Sequence, residues 1–232
     1  ATLGRMYEYN GKKFYILPDN WKDAAYRHGF RQEYNVNISG GDSKISYYSS
    51  IGYLKEKGVL ENSGYERFTA RLKADYQATD WLHLLANASY VHADRESNPN
   101  LSNTNSNASN LGYFTQYISP IYPIYVRTID ANGNPVIATD RFGHPQYDFG
   151  VPATNFQGLN GRPFSQTGNP LGSNRYNKVN DILDQLQGQL NFDVTFTPWL
   201  KFNSTNSITL ILSRFSHDEN PFIGNAAATN GS

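Results

Sequence analysis

Between Tyr34 and Tyr90 apolar and polar side chains alternate with a period of two. In residues 65–77, Phe68, Ala70, Leu72, Ala74 and Tyr76 alternate with Arg67, Thr69, Arg71, Lys73 and Asp75, giving one apolar face and one polar or charged face. Successive side chains of an extended strand point to opposite sides, so this pattern predicts a strand. A soluble sheet with one covered face reads the same way, and the alternation leaves open what covers the apolar side.

The next segment opens at Thr79-Asp80-Trp81-Leu82 and runs to Tyr90, with Leu82, Leu84, Ala86 and Ala88 opposed by His83, Asn87 and Ser89. Trp81 and Tyr90 bracket the apolar stripe. Strand steps of about 3.3 Å tilted by about 45° give this stripe a height of about 21 Å, close to the ~25 Å band between the aromatic girdles of an outer-membrane barrel.

The rest of the chain extends the pattern. Residues 1–30 read as an irregular lead-in, with a possible hairpin around Asn10-Gly11 and a short helix over 21–27. Four strands fill 31–93, turning at Gly40-Gly41-Asp42-Ser43, through the polar connection 55–64, and at Ala78-Thr79-Asp80. Residues 94–180 lose the periodicity. They begin with an Asn- and Ser-rich run and contain a small hairpin, Val126 to Ile129 against Pro135 to Ile137. Two more strands fill 181–215, joined by Thr197-Pro198-Trp199-Leu200, which repeats the motif of residues 79–82; residues 216–232 then read as the start of another loop. Connections that alternate between short and long belong to transmembrane barrels, whose outer loops are the long ones.

Composition narrows the reading. A hydrophobic fraction of 38% and a mean hydropathy of -0.61 sit beside 17 Tyr and 13 Phe, a profile suited to strands with one wet face. Basic and acidic residues balance at 20 each, so nothing suggests an electrostatic grip on nucleic acid. Cysteine is absent, which removes disulfide and thiolate-metal frameworks. No apolar run reaches the ~18 residues of a membrane helix, so any spanning falls to strands. The first residues carry no signal-peptide pattern, and an exported protein would here be mature or partial. Six strands are fewer than the roughly eight of the smallest transmembrane barrels, and an open sheet in lipid leaves unpaired edges. The expected fold is therefore all-β: a segment of an antiparallel transmembrane β-barrel, part of a larger plugged barrel, with one very long outer loop.

An ordered series of short motifs carries a family resemblance. Asp19-Asn20-Trp21-Lys22-Asp23, Gly29-Phe30, Tyr34-Asn35-Val36-Asn37-Ile38-Ser39-Gly40-Gly41, Ile45-Ser46-Tyr47-Tyr48, Gly52-Tyr53-Leu54, Lys57-Gly58-Val59-Leu60, Tyr65-Glu66-Arg67-Phe68, Arg71-Leu72 and Asp80-Trp81-Leu82 resemble the front of the barrel in SusC/RagA-type TonB-linked outer-membrane proteins. The resemblance implies a barrel of about 22 strands around an N-terminal plug, in the bacterial outer membrane. It also implies a SusD-like surface lipoprotein as lid, TonB acting through the plug, and oligosaccharide or peptide cargo. The plug and TonB box are not in this sequence, so what carries over is position and role in the barrel wall.

Candidate residues follow from the faces. Arg67, Arg71, Lys73, Asp75, Asn87, Gln187 and Gln189 are expected to line the lumen, or simply to be solvated there. Tyr113, Phe114, Tyr117, Tyr122, Tyr125, Tyr147 and Phe149 in the long loop could stack on sugar rings or meet a lid; packing of the loop on itself is the other reading. The five histidines are scattered without metal-ligand spacing, and no cofactor is expected. Asp130, Asn132 and Asn134 imitate the start of a calcium loop, but the closing Glu is missing and Asn132-Gly133 suits a turn. Asp75, Asp193 and Glu33 lie on polar faces, yet nothing in the sequence pairs them for glycoside hydrolysis, and no nucleophile arrangement is visible, so an enzyme is not expected. The alternative function is a soluble β-sandwich or adhesin-like glycan-binding module.

Overall fold

A computed structural model describes residues 6–9, 12–15, 19–97, 110–139, 143–150 and 168–218. The Asn- and Ser-rich run, the second half of the long loop and most of the tail lie outside them.

The chain opens with the paired strands β1 (Met6–Tyr9) and β2 (Lys12–Tyr15) and the helix α1 (Trp21–Ala25). The expected hairpin and short helix are both present; the Asn10-Gly11 turn itself is not among the described residues. The side-chain oxygen of Asn20 caps α1 by accepting from the Asp23 amide at 3.2 Å.

Four long strands follow: β3 (Phe30–Gly41), β4 (Ile45–Lys57), β5 (Gly64–Thr79) and β6 (Leu82–Ser97). The long connection contains α2 (Leu111–Tyr117), the ribbon β7 (Arg127–Ile129) with β8 (Pro135–Ile137), and α3 (Pro170–Tyr176). The last strands are β9 (Lys178–Thr197) and β10 (Leu200–Asp218). No described helix is long and apolar enough to cross a membrane.

All six long strands form one antiparallel sheet in the order β10-β9-β6-β5-β4-β3. Neighbours in sequence pair as hairpins, and β6 pairs with β9 across the long connection. The register keeps the two faces separate. Val36, Ile51, Ala70, Tyr90, Leu186 and Leu210 follow one another across the sheet on the apolar side. One step along, Ser50, Arg71, Ser89, Gln187 and Thr209 do so on the polar side.

The tight turns gather at one end of the sheet. At Gly41 any Cβ would collide with the Ile45 carbonyl oxygen, so the turn requires glycine there. The Asp42 carboxylate accepts from the amides of Lys44 and Ile45 at 2.7 and 3.0 Å, which holds its pKa below the ordinary carboxylate range.

The opposite end carries a small folded cap. Trp21, Ala25, Leu60, Leu111, Phe114, Ile118, Ile124 and Leu171 form a buried cluster. These residues come from the lead-in helix, the 58–63 connection and the long loop. The lead-in and the loop thus acquire a common core that the irregular pattern of 1–30 and 94–180 did not suggest. Asp19 ties the lead-in to the loop, accepting from the Ile124 amide at 2.7 Å and from Arg127 at 2.6 Å. The Trp21 indole donates to the Tyr122 carbonyl at 2.9 Å.

Candidate functional site

The polar face of the sheet brings five of the seven expected lumen residues together. Arg71, Ser89, Gln187 and Thr209 lie on one cross-strand row, and Tyr48, Lys73, Asn87, Gln189 and Ser207 on the neighbouring polar row. These side chains line an open depression of about 580 Å³. Tyr48, Ser207 and Thr209 were not singled out from the sequence, and Ser89 was placed on the polar face without being named as a lining residue, although their alternation parity matches that of Arg71 and Asn87.

Arg67 lies two polar rows toward the cap, beside Leu54 and Ala93. Asp75 lies one row toward the turns, where a diagonal side-chain contact links it to His83, the cross-strand partner of Asp193. His83 places Nε2 2.8 Å from Asp75 and Nδ1 3.1 Å from Asp193, while Asn203 donates to Asp193 at 2.7 Å. The sequence did not pair these carboxylates. Glu33 stands apart on β3, accepting from Arg31 at 2.9 Å.

The chemistry of the depression is amide, hydroxyl and cation. Gln187, Gln189 and Asn87 offer both donors and acceptors, Ser89, Ser207 and Thr209 offer hydroxyls, and Arg71 and Lys73 supply positive charge. Such a lining suits a polar, uncharged or partly anionic polymer. No metal-binding group of three or more His, Asp or Glu occurs among the described residues. In the cap, Asp130 spends its carboxylate on the amides of Asn134 and Asn132, at 2.7 and 2.9 Å, as a turn acceptor. These bonds, Asn134 foremost, hold its pKa below the ordinary range.

The cap sorts the loop aromatics. Phe114 and Phe149 are buried, and Phe114 packs on Trp21 with ring centroids 4.9 Å apart. Tyr122, Tyr125 and Tyr147 are partly buried against the same core, and burial pushes the Tyr147 hydroxyl pKa up. Tyr117 is 62% exposed and stacks on Tyr113 at 4.4 Å, leaving this pair of tyrosines on the cap surface.

No protein-family model matches the chain. TonB-dependent receptor P39 of Formosa agariphila is 36% identical over 61 residues, which is 26% of this chain and 6% of that protein. TonB-dependent receptor SusC of Bacteroides thetaiotaomicron is 33% identical over 51 residues, 22% of this chain and 5% of that protein. The RagAB peptide importer in its closed-closed state superposes with a TM-score of 0.59 at 18% identity, covering 94% of this chain and 22% of the solved one. A second structure of the RagAB peptide transporter gives 0.60 over 88% of this chain and 20% of the other. The chain therefore spans a small part of the curated relatives and about a fifth of the solved ones. These matches bear out the SusC/RagA resemblance over part of the chain, and the structural ones give the fold as a segment of an antiparallel β-barrel.

Proposed function

We propose that this chain is one arc of a SusC-like TonB-dependent transporter in a bacterial outer membrane. The complete protein would import oligosaccharides or peptides with a SusD-like surface lipoprotein, TonB acting through a plug inside the barrel.

The observation that carries this reading is the two-faced sheet with open edges. On its apolar side Val36, Leu72 and Leu212 are 66%, 61% and 70% exposed, while the polar side holds the amide-lined depression. Each edge strand, β3 and β10, has one sheet neighbour among the described residues. Lipid covers such an apolar face, and further strands of the same protein complete the unpaired edges. A soluble sandwich would instead set a second sheet against Val36, Leu72 and Leu212. Among the described residues the other sheets are two-stranded ribbons, too small for that.

The names of the relatives support the rest: the curated ones are called TonB-dependent receptors, and RagAB a peptide importer. Receptors and importers also favour transport over enzyme chemistry. Hydroxyl and amide groups in the depression serve peptide backbones and sugar hydroxyls alike, so uptake of each labelled cargo by cells with and without the protein decides between them. By this account the turn end faces the periplasm, and the cap with Tyr113 and Tyr117 faces outward toward lid and cargo.

The test is the intact mass of the protein taken from outer membranes before any denaturing or proteolytic step. The proposal expects a detergent-dependent species several times 26.1 kDa. A water-soluble species near 26.1 kDa contradicts it.

A further inference from the structure

The two polar rows that line the depression carry charge of one sign. Arg71 and Lys73 stand two residues apart on the polar face of β5, and no carboxylate is among the lining residues. Among the described residues neither cation has an ion pair. The carboxylates of the same face are engaged elsewhere. Asp75, two residues along β5 from Lys73, is held by His83 at 2.8 Å, Asp193 meets the same ring at 3.1 Å, and Glu33 pairs with Arg31 at 2.9 Å. A concave wall lined by one sign of charge concentrates the opposite sign in front of it.

Around the two cations the chemistry is that of a sugar chain. Tyr48, opposite Lys73 on β4 and 40% exposed, offers an aromatic ring at the edge of the depression. Across β6, β9 and β10, Asn87, Ser89, Gln187, Gln189, Ser207 and Thr209 are amides and hydroxyls, each able to donate and to accept as a sugar hydroxyl does. A peptide backbone would be served as well, but the two rows hold no aliphatic side chain to seat the apolar residues of a mixed peptide. Leu72, Ala88 and Ile208 belong by register to the opposite face. Strand spacings of about 4.8 Å from β4 to β10, and rows about 7 Å apart, make a strip about 19 Å long and narrow, which suits a chain better than a single ring.

Resting on the transporter reading of the sheet, we propose that the depression is a subsite for an acidic oligosaccharide, with a carboxylate or sulfate group between Arg71 and Lys73, a sugar ring against Tyr48, and ring hydroxyls on the amides of β6 and β9. The Arg71 guanidinium takes either anion through paired N–H donors, and Lys73 adds a point charge beside it.

The experiment probes the complete detergent-solubilised protein, fluorescently labelled, on an array of neutral, uronate-bearing and sulfated oligosaccharides beside acidic and mixed-sequence peptides. Binding should concentrate on the acidic oligosaccharides, several-fold above neutral ones of equal length, and the preference should shrink as salt rises. The uronate and sulfated spots, scored separately, assign the anion. R71Q/K73Q should abolish the preference, R71K/K73R should retain most of it, and Tyr48→Ala should weaken acidic and neutral sugars by a similar factor. Acidic peptides bound as well as acidic sugars, a preference for neutral sugars, no binding to any spot, or an acidic preference unchanged in R71Q/K73Q overturns the subsite and leaves the transporter reading standing. A water-soluble species near 26.1 kDa overturns both.

Discussion

The side-chain amide of Asn62 donates to the backbone carbonyl of Asn174 at 2.6 Å, and the side-chain amide of Asn174 returns the contact by donating to the Glu61 carbonyl at 2.7 Å. These residues lie 112 positions apart and belong to the short and the long connection at the cap end. Asn62 takes a φ of 56°, a left-handed conformation that asparagine tolerates better than most residues, and this aims its amide at α3. The loops are thereby joined into one body. Asn174→Ala removes a buried donor and should weaken docking of α3 by about 1–3 kcal/mol. Hydrogen exchange should quicken in 58–63 and 170–176 and stay unchanged in β5 and β6. Unchanged protection in the loops would count against the joined cap.

Trp21 anchors the same body from the lead-in, through its packing on Phe114 and its bond to Tyr122. Trp21→Ala should cost the cap about 3–5 kcal/mol, as large aromatic truncations in cores do. Limited proteolysis should then cut between β6 and β9 at protease levels that leave the parent intact, while the six-stranded sheet keeps its hydrogen-exchange protection. A cleavage pattern identical to the parent's would place the cap's stability elsewhere.

Asp130 makes the β7–β8 turn sensitive to acid. Its pKa is lowered in the folded hairpin, so its stabilising bonds are complete above the ordinary Asp value and are lost as pH falls through the depressed one. Asp130→Ala should reproduce the acid state at neutral pH, seen as loss of protection at the Asn132 and Asn134 amides. Added calcium should leave these signals in place, because the carboxylate is already committed to the turn; a calcium-induced shift would revive the metal reading.

Neighbouring residues on β5 should respond oppositely to exchange. Leu72→Arg puts a cation on the apolar face, which the proposal turns to lipid, and should cost about 2–4 kcal/mol near the bilayer midplane, whereas Arg71→Leu on the polar face, which the proposal turns to the lumen, should leave stability nearly unchanged. Refolding into vesicles followed by denaturant titration reads both; equal costs would contradict the assignment of faces.

In the depression, R71E/K73E should lower cargo uptake several-fold with barrel abundance unaltered, since it reverses the charge between the amide rows. Unaltered uptake would remove these two residues from the cargo path.

The strands were legible because period two persists through each of them with unlike faces, as Arg67 and Phe68 show. Their outer ends were read short for a physical reason. Level with Phe68 the apolar face already carries His92 and Asp184, and one row above it Glu66 and Asp94, so contrast between faces fades while the backbone ladder continues to Ser97 and Lys178. α2 and α3 were missed because seven residues show little helical periodicity and each contains a glycine, although Asn110 and Asn169-Pro170 are cap signals. The cap core was not legible, since Trp21, Leu60, Leu111 and Leu171 come from separate segments. The Asp75–His83–Asp193 bridge depends on β6 pairing with β9 across the whole long loop, which no local spacing encodes.

The most direct test of the barrel wall uses single cysteines placed one at a time from position 67 to position 76 of this chain, which has none of its own, with any cysteine elsewhere in the complete protein replaced by serine. The complete protein is reconstituted in vesicles, and each position is probed with a water-soluble maleimide and, after fluorophore attachment, with a lipid-borne quencher. The account predicts strict alternation: positions 68, 70, 72, 74 and 76 quenched by lipid and shielded from the maleimide, positions 67 onward by odd number reactive and unquenched. Equal reactivity along the segment, or quenching on the side of Arg71 and Lys73, would contradict a membrane-spanning strand with its polar face to the lumen.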